Sequence, residues 1–297
     1  MVRIGREKYT YYFDRKNKPV ASASVGDKVV FETLDCWGGK VKKDEDLLNP
    51  VGKEPSTGPL FVKGAEPGDI LVIQILDIKC NSHGTMALIP GEGVLKQYVE
   101  TPYTKIVTVK DDKTIFNEDI EIENKPHIGT IGTTPPGRIP TELIGSHGGN
   151  MDCSEAGIGA RLYFPVFLEG ALLQMGDVHA AMGEGEICIG VECGAEITIK
   201  IHEIVEKRFI PAPFIESEEH WYVVANAPSL EEAIRICAKR MADFISYKLG
   251  IPLEDTNLLI SVAGNVRIGQ AADAGYDVVV YMQFPKCVDK KGRLQKF

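Results

Sequence analysis

Two glycine-rich segments of the sequence carry side chains that could perform chemistry. The first, Gly145–Cys153, contains His147 and Asp152. Its glycines allow a sharp turn and a close approach to a ligand. An imidazole and a carboxylate both suit Zn²⁺ or a similar ion, and the Asn150 amide could hydrogen-bond an amide or a developing oxyanion. The structural alternative is that His147 caps a turn and Asp152 is an ordinary loop acid.

The second segment, Gly176–Glu186, places more acids around another histidine. In an extended segment the side chains of Asp177 and His179 project to the same side, and so do those of Glu184 and Glu186. One acid could then coordinate an ion while another transfers protons. The alternative interpretation is a polar hairpin with a surface cluster of acids.

Together the two segments predict a metal site. Two of the six histidines lie in these loops, each close to an aspartate. We expect one ion among His147, Asp152, Asp177 and His179, with zinc as the first choice and calcium as the second, because a carboxylate-rich loop accepts either. The number of ions stays open at this point.

The elements that must position these loops are mostly strands. Alternating or β-branched runs predict strands at Lys28–Asp35, Asp69–Lys79, Ile187–Glu192, Glu196–Val205 and Asp277–Phe284. A capping box at Ser229 and a terminal glycine at Gly250 predict one long helix, and a second helix is predicted from about Pro252 to Val262.

These patterns predict a β-rich fold, a mostly antiparallel sandwich or barrel-like body with a smaller α+β segment at the C-terminal end. We expect residues 1–212 to form the body that carries the metal site, and residues 213–297 to form the α+β segment packed on it. The abundant glycines and prolines, 30 and 17 in 297 residues, supply the turns that many short strands need.

Composition excludes several classes of function. The net charge of −9 argues against a nucleic-acid partner, because phosphate neutralisation needs clustered Lys and Arg. No apolar run approaches the ~20 residues needed to span a bilayer, so no membrane association is expected. Seven irregularly spaced cysteines indicate free thiols, and the polar N-terminus does not resemble a signal peptide. We therefore expect a cytoplasmic protein.

The phrases SHGGNMDC and MGDVHAAMGEGEICIGVECG resemble the two signature segments of the acetamidase/formamidase family. The stretches ETLDCWGGK, NPVGKEPSTGPLFVKGAEPGDILVIQI and PHIGTIGTTPPG also resemble that family, so the resemblance covers most of residues 20–205. The sequence departs from the family at Met182, more often glutamine there, and at Glu184, more often aspartate. The resemblance implies hydrolysis of formamide or acetamide to carboxylate and ammonia, a β-rich fold, a bound divalent metal and homo-oligomers. It also adds Asp35, which otherwise reads as an acid closing a strand, to the candidate ligands.

The resulting hypothesis is a metal-dependent amidohydrolase. Glu186 would take a proton from water and pass it to the departing ammonia, with Glu184 as the second choice, and Asn150 would polarise the carbonyl. Two alternatives remain open on the sequence. The enzyme could use Cys153 as a nucleophile, beside Asp152 and near His147, or the chain could be a β-rich module that binds a metal or small ligand without catalysis.

Overall fold

The structure is a computed structural model that describes residues 1–48, 54–206, 213–272 and 275–295. The boundary that the sequence predicts at residue 212 lies outside these described residues. Within them, neither α-helix is long and apolar enough to cross a membrane.

The described ranges contain twenty-two strands, two α-helices and three short 3₁₀ helices. The strands are β1 (Val2–Ile4), β2 (Tyr9–Thr10), β3 (Tyr12–Asp14), β4 (Ala21–Ala23), β5 (Lys28–Glu32), β6 (Ser56–Val62), β7 (Ile70–Cys80), β8 (His83–Leu88), β9 (Tyr103–Val109), β10 (Lys113–Ile115), β11 (Glu121–Glu123), β12 (His127–Gly132), β13 (Arg138–Pro140), β14 (Gly148–Asn150), β15 (Arg161–Pro165), β16 (Leu173–His179), β17 (Glu192–Cys193), β18 (Ala195–Val205), β19 (Phe214–Glu216), β20 (His220–Ala227), β21 (Asn265–Gln270) and β22 (Val278–Pro285). The α-helices are α1 (Leu230–Leu249) and α2 (Leu253–Ala263), and the 3₁₀ helices are Asp44–Leu48, Lys96–Tyr98 and Lys286–Val288.

The first sheet has the strand order β1-β5-β18-β7-β15-β19-β20-β22-β21 and is antiparallel except where β1 pairs with β5. Its longest strand pair is β7 with β18. In β18 the predicted alternation is confirmed, since Ile197, Ile199 and Ile201 are all fully buried while Thr198 and Lys200 are half-buried. Removing such isoleucines from water stabilises the fold by roughly 1.5–3 kcal/mol each.

The second sheet runs β11-β10-β9-β8-β17-β16-β12-β14, and β6 also pairs with β16. Its inner face packs against the first sheet in one apolar core, where Ile131 and Val178 from the second sheet join Ile73 and Ile199 from the first. Helix α1 covers the other face of the first sheet at β20 and β22. The predicted β-rich, mostly antiparallel body with C-terminal helices is therefore confirmed.

Local signals located the long helix well. Ser229 Oγ accepts a hydrogen bond from the Glu232 amide at 3.3 Å, and Gly250 ends α1 with a left-handed φ of 65°. The second helix begins one residue after Pro252, which is its N-cap.

The strand predicted over Ile187–Glu192 is wrong except at its last residue. Only Glu192 and Cys193 join the ladder, and Ile187 is 56% exposed. In this loop Val191 is buried whereas Ile187 is exposed, so the alternation of residue types corresponds neither to strand pairing nor to one buried face.

Candidate active site

A small cavity lies where the ends of β14, β16 and β17 meet β21 from the C-terminal part of the chain. Its volume is about 60 Å³, room for a few water-sized groups. Among the described residues that line it there is no lysine or arginine, but there are five buried acids, namely Glu54, Asp152, Asp177, Glu186 and Glu192. Buried carboxylates without a compensating charge are costly, so this composition points to a cationic ligand.

Four of these acids have an unusual backbone. In the described ranges six non-glycine residues have a positive φ, and the cavity holds four of them: Glu54 (60°), Asp152 (42°), Asp177 (54°) and Glu186 (30°). Such conformations cost on the order of 1–3 kcal/mol each and persist where the surrounding structure enforces them. The fold therefore accepts local strain at the residues whose carboxylates line this cavity.

Gly129 on β12 lets two of the carboxylates lie against the backbone. A Cβ atom at this position would be 2.5 Å from Asp152 Oδ1 and would overlap Asp177 Oδ2. Gly190 has a similar role, since its Cβ would be 2.5 Å from the ring of His179. Glycine is required at both positions because a neighbouring site residue occupies the space of a side chain.

Three side chains, Asp152, His179 and Glu186, bring potential ligand atoms within 4.8 Å of one another. His179 Nδ1 lies 3.9 Å from Asp152 Oδ1, and His179 Nε2 lies 3.8 Å from Glu186 Oε1. His179 Nε2 is also 2.8 Å from Glu192 Oε1, the arrangement that orients a metal-binding imidazole in carboxylate–histidine–metal triads.

Two atoms of this group have no hydrogen-bond partner in the described structure, namely Asp152 Oδ1 and His179 Nδ1. Two ligands about 2.1 Å from a tetrahedral zinc ion are about 3.4 Å apart, and calcium, with bonds of about 2.3–2.6 Å, tolerates a wider spacing. The distance between His179 Nδ1 and Asp152 Oδ1 is 3.9 Å, so a small side-chain movement would bring the two atoms to the spacing that either ion needs. The residues present therefore fit a divalent cation.

The C-terminal part of the chain supplies Gln270, a site residue that the sequence analysis missed. Its Nε2 donates to Asp152 Oδ2 at 2.7 Å and to Glu186 Oε2 at 3.3 Å. A bridge between Gly185 and Gln270 brings β21 to the acidic loop. No motif marks this glutamine, because its position depends on a pairing between residues 85 apart in the chain.

Burial changes the protonation of the acids. Burial and, to a smaller extent, the nearby charge of Asp177 together raise the pKa of Asp152 to about 7. Burial likewise raises the pKa of Glu192 to about 8, and it holds the pKa values of Asp177 and Glu186 well above the ordinary range for carboxyl groups. A bound cation would favour the ionised forms and reverse these shifts.

The predicted site residues separate into two sets. Asn150, Asp152, Asp177 and Glu186 all line the cavity, and His179 contacts three of the cavity acids. Asn150 Oδ1 accepts a hydrogen bond from Thr130 Oγ1 at 3.1 Å, which orients its amide group.

The other three predicted residues, His147, Asp35 and Glu184, are not among the described residues that line the cavity. His147 is buried edge-on against Phe13, with ring centroids 4.7 Å apart, and burial lowers its pKa to about 4. Asp35 Oδ1 accepts hydrogen bonds from the backbone amides of Trp37 and Gly39 and so closes a turn.

Glu184 forms an ion pair with Arg267 and accepts a hydrogen bond from the Tyr281 hydroxyl at 2.7 Å. Its carboxylate is therefore engaged away from the cavity.

The fold places the thiols of Cys153 and Cys36 in different environments. Cys153 is fully buried in the apolar core, outside the described cavity lining, and burial raises its pKa. This environment suppresses the thiolate that a nucleophile requires. Cys36 lines the cavity beside the acids, a position that the sequence analysis did not identify.

The chain is similar in sequence and in overall structure to known acetamidases and formamidases. The Acetamidase/Formamidase family profile matches residues 12–146 and 139–263. A crystal structure of an acetamidase from Bacillus halodurans superposes with a TM-score of 0.93 at 34% identity, covering 98% of this chain and 99% of that one. A formamidase from Methylophilus methylotrophus is 25% identical in a match that covers 72% of this chain and 70% of that protein. An acetamidase from Mycolicibacterium smegmatis is 26% identical in a match that covers 61% of this chain and 62% of that protein. The matches to curated relatives span 60% to 70% of the length of those proteins.

Proposed function

This chain belongs to the acetamidase/formamidase family, and we propose that it hydrolyses short aliphatic amides such as formamide and acetamide to the carboxylate and ammonia with the help of a divalent metal ion. One observation carries the metal part of the proposal. Asp152 Oδ1 and His179 Nδ1 are buried, face each other at 3.9 Å and have no hydrogen-bond partner in the described structure. Buried polar atoms are almost always paired, so an ion between them accounts for both.

Asp152 and His179 are the proposed ligands, with zinc as the first choice and calcium as the second. The chemistry that such an ion supplies when bound is a pKa of water lowered from about 15.7 towards about 7, and polarisation of a carbonyl oxygen. Glu192, at 2.8 Å from His179 Nε2, fixes the imidazole orientation, and Gln270 fixes the Asp152 carboxylate. His147 and Asp35, which the sequence also predicts as ligands, are not among the described residues that line the cavity.

Glu186 is the proposed proton carrier. Its Oε2 is held by Gln270, and its Oε1 lies 3.8 Å from His179 Nε2, so the carboxylate is positioned beside the proposed ligands. It would take a proton from water and deliver it to the amide nitrogen as the carbon–nitrogen bond breaks. Asn150, whose carbonyl oxygen is engaged by Thr130, would donate its amide hydrogens to the developing oxyanion.

The size of the cavity supports a small substrate. A volume of about 60 Å³ is far below the roughly 300–1,000 Å³ of pockets for larger ligands. Trp37, Ile89 and Ile189 also line the cavity and supply apolar surface for the hydrogen or methyl group of the acyl part.

The test is ammonia release from formamide, acetamide and butyramide by the full-length protein, before and after chelation, with Zn²⁺ or Ca²⁺ restored. We expect activity on the first two amides, loss on chelation and recovery with one of the ions. His179→Ala should abolish activity, and the exposed His83→Ala is the matched control. Activity that survives exhaustive chelation, with no metal found by elemental mass spectrometry, would refute the proposed metal dependence. A metal-loaded protein that hydrolyses none of the short amides would refute the proposed amidase activity.

We also propose that the enzyme is a cytoplasmic homo-oligomer, a dimer or a larger assembly. The thiol-rich composition supports the first point, and the family resemblance supports the second. Light scattering after gel filtration tests the assembly, and fractionation of cells tests the location.

A further inference from the structure

A second group of potential ligand atoms adjoins the first. Cys36, Asp177 and Glu192 bring a thiol and two carboxylates within 4.8 Å of one another, and all three are at least 93% buried. Glu192 Oε2 has no hydrogen-bond partner in the described structure, while its Oε1 contacts His179. Oε2 is therefore an acceptor atom that is available to a cation.

When ionised, the five buried acids of the cavity carry more negative charge than one divalent cation compensates. A single divalent ion would compensate the carboxylates of Asp152 and Glu186. It would leave Asp177, Glu192 and Glu54 buried together in a cavity whose described lining has no lysine or arginine. Ionised carboxylates in such an environment need a counter-charge or a proton.

We propose that Cys36, Asp177 and Glu192 bind a second divalent cation, beside the one held by Asp152 and His179. The inference deepens the proposed function and rests on it only in sharing the same cavity. Sulfur is a soft ligand, so this second group selects zinc over calcium or magnesium. As the metal–sulfur bond forms, the Cys36 thiol releases its proton to solvent.

The two groups form one continuous site. Asp152 Oδ1 and Asp177 Oδ2 both lie where a Cβ of Gly129 would be, so one carboxylate from each group meets at the same backbone position. Glu192 belongs to the second group and contacts His179 of the first. The geometry therefore describes paired cation sites in which Glu192 of the second group orients His179 of the first.

Cobalt binding tests the second site without measuring turnover. The metal-free full-length protein is titrated with Co²⁺, and absorption is followed in the near ultraviolet, where thiolate-to-cobalt charge transfer appears. We expect a charge-transfer band and two Co²⁺ per chain in the natural protein, and one Co²⁺ without the band in Cys36→Ser. Cys188→Ser is the matched control, because Cys188 lines the same cavity but is not in the group, and it should keep the band.

X-ray absorption at the zinc edge of the natural protein supplies a readout that does not depend on a variant folding. We expect a sulfur neighbour at about 2.3 Å, averaging half a sulfur per zinc. Only nitrogen and oxygen neighbours, or a cobalt band that persists unchanged in Cys36→Ser, would overturn the proposal. A protein that shows the band and two ions but releases no ammonia would refute the amidase function and leave the second site standing.

Discussion

Gly129→Ala places a methyl group where two site carboxylates now lie. The added Cβ would be 2.5 Å from Asp152 Oδ1 and 2.9 Å from the Asp177 carbonyl oxygen, and it would overlap Asp177 Oδ2. Ordinary carbon–oxygen contacts are about 0.7–1 Å longer, so both carboxylates must move by that amount. The flanking strands β14 and β16 hold the backbone of β12 on both sides and limit any compensating shift.

A displacement of about 1 Å at a reacting group costs on the order of 100-fold in rate, which is about 2.7 kcal/mol of transition-state stabilisation. Overpacking of this kind also destabilises a fold by about 1–3 kcal/mol. We therefore expect kcat/KM for formamide to fall about 100-fold and metal affinity to fall about 10–100-fold. Ammonia release measures the first, and competition with a chromophoric chelator measures the second.

The matched control is Gly137→Ala, since nothing lies within 4 Å of its Cβ and its backbone is not left-handed. It should change activity less than two-fold. The reasoning would be refuted if Gly129→Ala kept kcat/KM within three-fold of the natural enzyme while remaining folded by circular dichroism. It would also be refuted if Gly137→Ala lost as much activity as Gly129→Ala.

Three further predictions concern protonation and thiol chemistry. Glu186→Gln should lower kcat about 10²–10⁴-fold with metal content unchanged, whereas loss of the metal would identify it as a ligand instead; Glu184→Gln, whose carboxylate is engaged by Arg267, should stay within about three-fold. Cys153→Ala should keep most activity, because the thiol lies in the core; loss of turnover in a stable variant would favour the nucleophile alternative. The chelated protein should lose thermal stability as pH rises from about 4 to 8, and zinc should flatten that slope. The sign follows because burial raises the pKa of Asp152 to about 7 and of Glu192 to about 8, so the folded state holds protons that the unfolded chain releases above about pH 4. A melting temperature that rises over this range in the chelated protein would contradict it.

Local sequence patterns predicted the parts of the fold whose causes are local. The alternating isoleucines of β18 and the cap residues of α1 determine burial and helix ends within a few positions of themselves. The same reasoning failed at Ile187–Glu192, where residue types alternate but only the last residue pairs in a strand. Periodicity reports which side of a segment is buried, but it does not report whether a neighbouring strand pairs with it.

The candidate site was predictable only where its residues share a segment. Asp177, His179 and Glu186 fall within one stretch, and the structure brings them to one cavity. Cys36 and Gln270 come from opposite ends of the chain, and each reaches the cavity through sheet pairing that no local pattern specifies. Local pattern alone did not place Cys36 beside the acids, so the sequence left the number of ions open.

The strained backbone explains why so many acids can occupy so small a space. The cavity acids come from separate positions along the chain. A positive φ at Asp152, Asp177 and Glu186 turns the backbone away from regular strand geometry at each of them. The strain and the burial of like charges both oppose folding, at roughly 1–3 kcal/mol for each strained residue. Apparent binding energies of structural zinc ions are about 10–16 kcal/mol, enough to offset several such residues. On this argument the cavity acids and the ions are interdependent. The metal-free protein must hold protons on its carboxyl groups to remain folded, and metal uptake must release them.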